Sequence, residues 1–172
     1  MGDPDPDDAK FETAKDVGVG LLRAVAREIP TDWRPALVEA TVEAPVTDGV
    51  ILRGTTDLVL EDGAIVDWKT RARRSNEAEV RRDLQFSGYA FLRNSVEGKD
   101  GDHRRLFIAE VTKTKVPAVH IHATERDGRD IATYRGIVAK VADAIRAGYD
   151  VPAPGPMCST CGYRGSACPI GR

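Results

Sequence analysis

Two strand-like segments joined by a short turn constrain this chain more than any other feature of its sequence. The segments span residues 50–60 and 64–69, and the turn Glu61-Asp62-Gly63 between them is typical of a β-hairpin. A three-residue loop of this kind commonly ends in a left-handed residue, and glycine adopts that conformation without strain. In this register Asp57 lies opposite Asp67, whereas a two-residue loop would turn the Asp57 carboxylate to the other face. We therefore predict the three-residue loop, or a bulge with the same effect.

The pattern of apolar residues along the rest of the chain predicts a central mixed β-sheet flanked by helices, an α/β (α+β) fold. Further strands are expected at 36–46, with a break at Pro45, and at 106–111 and 118–123. Helices are expected at 9–29, 77–93 and 126–149.

Length and composition bound the possible functions. A chain of 172 residues that is 41% hydrophobic corresponds to one domain, which we place at residues 1–150, followed by a cysteine-rich tail at 151–172. The net charge of −2 gives no overall basic signature, so any binding of nucleic acid must come from a local patch. An acidic N-terminus is unlike a signal peptide, and no apolar run approaches the length of about 18 residues that spans a membrane. These features predict a cytoplasmic protein that does not bind membranes.

Asp67 and Lys69 are two apart on a predicted strand, so their side chains share a face that Asp57 joins in the three-residue register. Two carboxylates that converge repel each other unless a cation lies between them, and Mg²⁺ or Mn²⁺ is the hard divalent ion suited to oxygen ligands. Such an ion polarises a phosphodiester and activates water, while Lys69 orients that water and stabilises developing charge. The alternative is an ordinary turn aspartate and a surface Asp-x-Lys ion pair.

Gln85 and Tyr89 are four apart on a predicted helix and therefore share one helical face, where an amide and a phenol suit a phosphate or an ordered water. The alternative is a glutamine on a helix flank and a tyrosine packed on the sheet. A basic run between these motifs follows the predicted active-site strand, where a nucleic-acid backbone would pass. Its members are Lys69, Arg71, Arg73, Arg74, Arg81 and Arg82. The alternative for this run is a solvated loop and helix start.

The tail carries Cys158, Cys161 and Cys168 in a C-x2-C-x6-C pattern, and a segment this rich in glycine and proline needs metal ligation to become ordered. Structural zinc sites and iron–sulfur clusters normally take four protein ligands, and the chain has only three cysteines. The fourth ligand would be a histidine (His103, His120 or His122), an external thiol, or nothing.

The set Gly54-x-x-Asp57, Asp67-Trp68-Lys69 and Gln85-x-x-x-Tyr89 resembles the RecB-type branch of the PD-(D/E)XK nuclease superfamily. That branch includes nuclease domains of bacterial recombination helicase–nucleases and small nucleases of CRISPR adaptation. The resemblance implies a restriction-endonuclease-like core, with a metal ion held by Asp57, Asp67 and the carbonyl of Trp68. It also implies that Lys69 serves the nucleophile. Gln85 and Tyr89 would contact the DNA backbone.

The resemblance also implies a [4Fe–4S] cluster, preferred here to zinc, that joins the three tail cysteines to a fourth near the N-terminus. No cysteine precedes Cys158, and no histidine precedes His103, although the family places a metal-binding histidine on an N-terminal helix. Glu12, Glu28, Glu39 or Glu43 are possible substitutes for that histidine. We therefore expect a shortened form of the family fold.

These observations predict a Mg²⁺-dependent deoxyribonuclease, an exonuclease or end-processing enzyme of recombination, repair or phage DNA metabolism. Its substrate would be single-stranded DNA or duplex ends, and a helicase or recombination protein would be its partner. A second hypothesis is a catalytically incomplete nuclease fold that binds DNA within a larger complex. A third is a small zinc-ribbon-like interaction protein in which the acidic and lysine motifs are coincidental.

Overall fold

The computed structural model describes residues 6–99, 102–149 and 153–168, with side chains from Thr13 onward. The chain forms two compact units, Met1–Arg135 and Gly136–Arg172. The predicted boundary between residues 150 and 151 lies outside the described residues and stays a prediction. No helix in the described part of the chain is both long enough and apolar enough to cross a membrane.

The first unit contains a mixed five-stranded sheet, which confirms the predicted fold class. The strands lie in the order β1-β2-β3-β4-β5; β3 and β4 are parallel, and the other neighbours are antiparallel. The elements are α1 (Pro6–Glu28), β1 (Pro35–Thr47), β2 (Val50–Leu60), β3 (Ile65–Arg71), α2 (Glu77–Arg82), α3 (Leu84–Glu97), β4 (Arg104–Thr112), β5 (Val119–Arg126) and α4 (Gly128–Arg146). A short 3-10 helix, Pro156–Ser159, lies in the second unit.

Apolar side chains pack on both faces of the sheet. One cluster contains side chains of β3, β4, α2 and α3: Ile65, Val80, Phe86, Tyr89, Leu106 and Ile108. The other face buries Leu58, Leu60, Ala64, Val66 and Ala109, against which Trp33, Trp68, Phe107 and Ile121 pack. Successive strand residues point to opposite faces. Asp67 and Lys69 therefore share the face of Ile65, beneath α2 and α3.

The prediction of one helix over residues 77–93 is wrong, because the chain interrupts it at Asp83. Asp83 adopts an extended conformation and caps α3, its side chain accepting a hydrogen bond from the Gln85 N–H at 2.9 Å. Arg126 Nη2 donates to the carbonyl oxygens of Arg81 and Asp83 at 3.0 and 3.1 Å, which satisfies the end of α2. Arg126 was expected to begin the last helix but ends β5, and α4 begins at Gly128.

The predicted break at Pro45 is also not observed. β1 continues to Thr47, with a register shift against β2 between Pro45 and Thr47. Proline lacks an N–H, so an irregularity rather than an end of the strand accommodates it here.

Candidate active site

The hairpin of β2 and β3 has the predicted three-residue loop. Leu58 lies opposite Val66, and the Leu60 N–H donates to the Ala64 carbonyl oxygen at 2.8 Å. Gly63 is left-handed, with φ of +83°, as the loop requires. The same register continued by one residue places Asp57 beside Asp67.

Asp57 lies where the regular pairing of β2 with β3 ends. Its Oδ2 atom accepts a hydrogen bond from the Trp68 N–H at 2.7 Å, which ties the carboxylate to the backbone between Asp67 and Lys69. Gly54, three residues earlier, lies under α3: a Cβ there would be 2.7 Å from Leu92 Cδ1 and 3.7 Å from Tyr89 Cε1. The glycine of the first motif is therefore needed for the close approach of α3 to the sheet.

Four of the predicted site residues form a connected ring of polar contacts. Lys69 Nζ lies 2.9 Å from Asp67 Oδ2 and donates to Gln85 Oε1 at 3.1 Å. Gln85 Nε2 donates to the Tyr89 hydroxyl oxygen at 2.6 Å, and that hydroxyl donates weakly to Asp67 Oδ1 at 3.5 Å. The ring links Asp67 and Lys69 on β3 to the first two turns of α3. The helix interruption at Asp83 sets where α3 begins, and therefore where Gln85 lies.

The ring contains a buried carboxylate whose main partner is a single ammonium group. Asp67 is 1% exposed, and Lys69 Nζ lies 2.9 Å from its Oδ2 atom and 3.2 Å from its Oδ1 atom. Burial raises the pKa of Asp67, the hydrogen bond and charge of Lys69 lower it, and the Asp57 charge raises it further. Burial, together with the charge of Asp67, also raises the pKa of Tyr89 to about 12.

The two neighbouring carboxylates are the observation against which a metal ion can be tested. A divalent cation between Asp67 and Asp57 would offset their repulsion and the cost of burying the Asp67 charge. Among the described residues no group of three or more His, Cys, Asp or Glu could hold a metal ion. A magnesium ion commonly keeps several waters and takes one or two carboxylates. The two aspartates therefore fit such an ion.

A second buried carboxylate, missed by the sequence analysis, lies on β4 opposite Lys69. Glu110 is 0% exposed and accepts hydrogen bonds from the Ser75 N–H at 2.9 Å and from the Ser75 hydroxyl. Arg71 Nε and His122 Nε2 lie 2.8 and 3.2 Å from its carboxylate oxygens. Burial raises the pKa of Glu110, but these partners outweigh it and hold that pKa below its ordinary value. The sequence signal that could have revealed Glu110 is an acidic residue inside the apolar run 106–111.

The described tail cysteines do not fit a metal cluster. Cys158, Cys161 and Cys168 are free thiols, and they form no metal-holding group in the described residues 153–168. Cys158 Sγ instead accepts a hydrogen bond from the Gly155 N–H at 3.4 Å. Neither the iron–sulfur nor the zinc prediction is supported by this arrangement, and no chemistry is derived from it.

The three candidate histidines all lie in the first unit. His103 Nε2 lies 2.8 Å from Glu125 Oε2, and His122 contacts Glu110. His120 lies opposite Glu110 in the β4–β5 register. The partners of His103 and His122 are thus carboxylates.

Comparison with known proteins identifies the family to which this chain belongs. The profile of the PD-(D/E)XK nuclease superfamily matches residues 7–169. The chain therefore belongs to the PD-(D/E)XK nuclease superfamily.

Solved structures agree with that family at the level of the fold. A candidate exonuclease from Eubacterium rectale shares 16% identity at a TM-score of 0.61, over 89% of this chain and 60% of the other. The protein named SSO0001 shares 14% identity at a TM-score of 0.51, over 94% of this chain and 71% of the other. The chain thus covers less than two thirds of the E. rectale protein. No curated protein matches the sequence.

Proposed function

We propose that this protein is a metal-dependent nuclease that hydrolyses phosphodiester bonds in DNA. The observation that carries the proposal is the convergence of three charged groups: the buried Asp67, the Lys69 ammonium group 2.9 Å from its Oδ2 atom, and Asp57, which accepts a hydrogen bond from the adjoining Trp68 N–H. Membership of a nuclease superfamily agrees with it.

In this proposal Asp57 and Asp67, with the Trp68 carbonyl, hold Mg²⁺ or Mn²⁺. Such an ion, when bound, supplies a Lewis acid for the phosphodiester and lowers the pKa of a bound water. The Lys69 ammonium group orients the attacking water and stabilises negative charge that develops on the phosphate. Gln85 Oε1 fixes the position of that ammonium group through their 3.1 Å contact.

Tyr89 acts as a hydrogen-bond donor in this site. Its pKa of about 12 keeps the phenol protonated throughout the neutral range, so it does not serve as a base near pH 7. The hydroxyl donates to Asp67 in the free protein and would donate to a phosphate oxygen of bound DNA. Gln85 sets the orientation of that hydroxyl through its 2.6 Å contact.

Exonuclease or end-processing action is the finer part of the proposal, favoured by the description of the E. rectale protein as a candidate exonuclease. A role in recombination, repair or phage DNA metabolism, a helicase or recombination partner and a cytoplasmic location remain predictions from the sequence.

The test is cleavage of labelled single-stranded and duplex DNA with Mg²⁺ or Mn²⁺. We expect Asp67→Ala and Lys69→Ala each to lower the rate by about 100-fold or more, the range for loss of one catalytic group. Lys99→Ala is the matched control, because Lys99 pairs with Glu97 at 3.5 Å, outside the ring. Undiminished cleavage by either ring variant would refute the mechanism.

The second candidate is a nuclease fold that binds DNA without cutting it. The lack of a third His, Cys, Asp or Glu ligand among the described residues favours it. Calorimetry separates the two candidates: the nuclease binds Mg²⁺ or Mn²⁺ and loses that binding with Asp67→Asn. A protein that binds DNA but neither ion would be the non-cleaving module.

A further inference from the structure

An arginine-lined cavity lies beside the candidate active site. Its volume is about 550 Å³, and its lining includes Ile108, the neighbour of Asp67 in the β3–β4 register. Four arginines and two acidic residues are among those that line it: Arg71, Arg73, Arg74, Arg82, Glu79 and Asp83. Positive charge therefore exceeds negative charge in a cavity next to the ring.

The cavity arginines are only partly neutralised. Arg71 pairs through Nε with the buried Glu110, and Arg73 has a long contact of 3.4 Å with Glu79. Within the described residues, no ion pair or hydrogen bond engages the side chains of Arg74 and Arg82. Guanidinium groups without a carboxylate partner, placed around a concavity, suit a phosphate because they offer paired N–H donors.

The wall of the cavity is held in place before any ligand binds. Glu110 anchors the segment between β3 and α2 through both the N–H and the hydroxyl of Ser75. Asn76 then caps α2, because its side chain accepts from the Glu79 N–H while Glu79 accepts from the Asn76 N–H. A wall fixed in this way loses less entropy when it binds a ligand.

We propose that this cavity is a binding site for a second phosphate group of the nucleic-acid strand, distinct from the phosphate that is cleaved. The inference rests on the proposed nuclease function and names where the substrate is held beyond the scissile bond. The cavity has the volume of a small-ligand site and therefore accommodates a nucleotide phosphate rather than only touching a passing backbone. A terminal phosphate and an internal one have the same chemistry here.

The chain offers a closely matched control for the test. Arg81 and Arg82 are neighbours on α2, but only Arg82 lines the cavity, while Arg81 pairs with Glu77 at 3.7 Å. We would measure the affinity of a fluorescent single-stranded oligonucleotide in EDTA, so that no cleavage occurs. We expect Arg74→Gln and Arg82→Gln each to weaken binding by about fivefold to tenfold, and Arg81→Gln by less than about twofold.

Oligonucleotides with a 5′-phosphate, a 3′-phosphate or hydroxyl ends identify the source of the phosphate. Tighter binding of one phosphorylated end that Arg82→Gln abolishes assigns the cavity to that terminal group. If all three oligonucleotides bind equally and Arg82→Gln weakens the binding of each, the cavity is assigned to an internal phosphate. Either result supports the site.

Equal losses in Arg81→Gln and Arg82→Gln would overturn the proposal, since overall charge alone would then explain binding. Unchanged affinity in both cavity variants would overturn it as well. Because binding is measured without metal, the result is independent of cleavage. If cleavage is absent but the cavity variants lose affinity, the nuclease proposal fails and the phosphate site stands.

Discussion

Asp67 and Glu110 lie on neighbouring strands, face the same side of the sheet and are both almost fully buried, yet their surroundings differ sharply. Glu110 has donors on both oxygens, from Ser75, Arg71 and His122. Asp67 depends mainly on the Lys69 ammonium group, has only a weak contact with the Tyr89 hydroxyl, and lies near a second carboxylate. The fold therefore surrounds Glu110 with several donors and gives Asp67 one cationic partner.

The pKa directions express the same difference. Burial raises the pKa of both carboxyls, but only at Glu110 do the partners outweigh it and bring the net shift below the ordinary value. A buried ionised group stabilises the fold only when its partners outweigh the desolvation penalty. Glu110 thus supports the structure, whereas Asp67 weakens the metal-free fold and serves the proposed site.

The largest expected effect follows from removing the satisfied acid. Glu110→Ala leaves Ser75, His122 and Arg71 without their shared acceptor, so we expect the free energy of unfolding to fall by about 3 kcal/mol. Urea denaturation measures this change. Glu125→Ala on β5 is the control, because the exposed Glu125 pairs with His103 alone among the described residues and should contribute little. Equal stability of the two variants would contradict the structural role of Glu110.

The pH dependence of this effect has a definite sign. The folded-state pKa of Glu110 lies below the ordinary value of 4.5, so its stabilisation is fully present above pH 4.5. It is lost as the pH falls through the folded-state pKa. The stability gap between the wild type and Glu110→Ala should therefore narrow in acid.

Replacing Asp67 should change stability in the opposite direction. Asp67→Asn removes a charge that burial disfavours, so we expect the metal-free protein to become more stable at pH 7 by about 1 kcal/mol while losing cleavage. The folded-state pKa is raised above 3.8, so the wild type is penalised as the pH rises through the interval between 3.8 and that raised pKa. The advantage of the variant should grow over that interval and then level off. Thermal melts in EDTA measure it.

Adding a metal ion tests whether Asp67 takes part in binding it. Mg²⁺ or Mn²⁺ should raise the melting temperature of the wild type and leave that of Asp67→Asn unchanged, because a ligand of the folded state stabilises it. Equal responses of both proteins would show that the ion binds elsewhere. If Asp67→Asn is less stable than the wild type in EDTA, the Asp67 charge stabilises the metal-free fold and the expected penalty is absent.

Local signals in the sequence were sufficient for much of this arrangement. The loop Glu61-Asp62-Gly63 set the register because glycine at its third position suits a left-handed residue, and that register brings Asp57 beside Asp67. Strand alternation placed Lys69 with Asp67, and helical spacing placed Gln85 with Tyr89.

Interactions between distant parts of the chain were not predictable in this way. The helix interruption at Asp83 depends on Arg126, 43 residues away, whose donors satisfy the carbonyl groups that the interruption exposes. The partners of Glu110 come from a loop and from β5, so no single segment indicates that this acid is satisfied. Periodicity reports which face a residue occupies, but not whether a polar group on that face finds a partner.

The smallest and most direct test removes one hydroxyl donor from each acid. Ser75→Ala deletes a donor to the fully paired Glu110, and we expect it to lower stability by about 1 kcal/mol. Tyr89→Phe deletes a donor that lies 3.5 Å from Asp67 and the acceptor of the Gln85 amide. Because Gln85 is exposed and its amide can bind water instead, we expect a loss below about 0.5 kcal/mol. Urea denaturation of both variants in EDTA gives the comparison. A larger loss for Tyr89→Phe would mean that the Asp67 ring is a structural network like that of Glu110, which would contradict its role as a metal site.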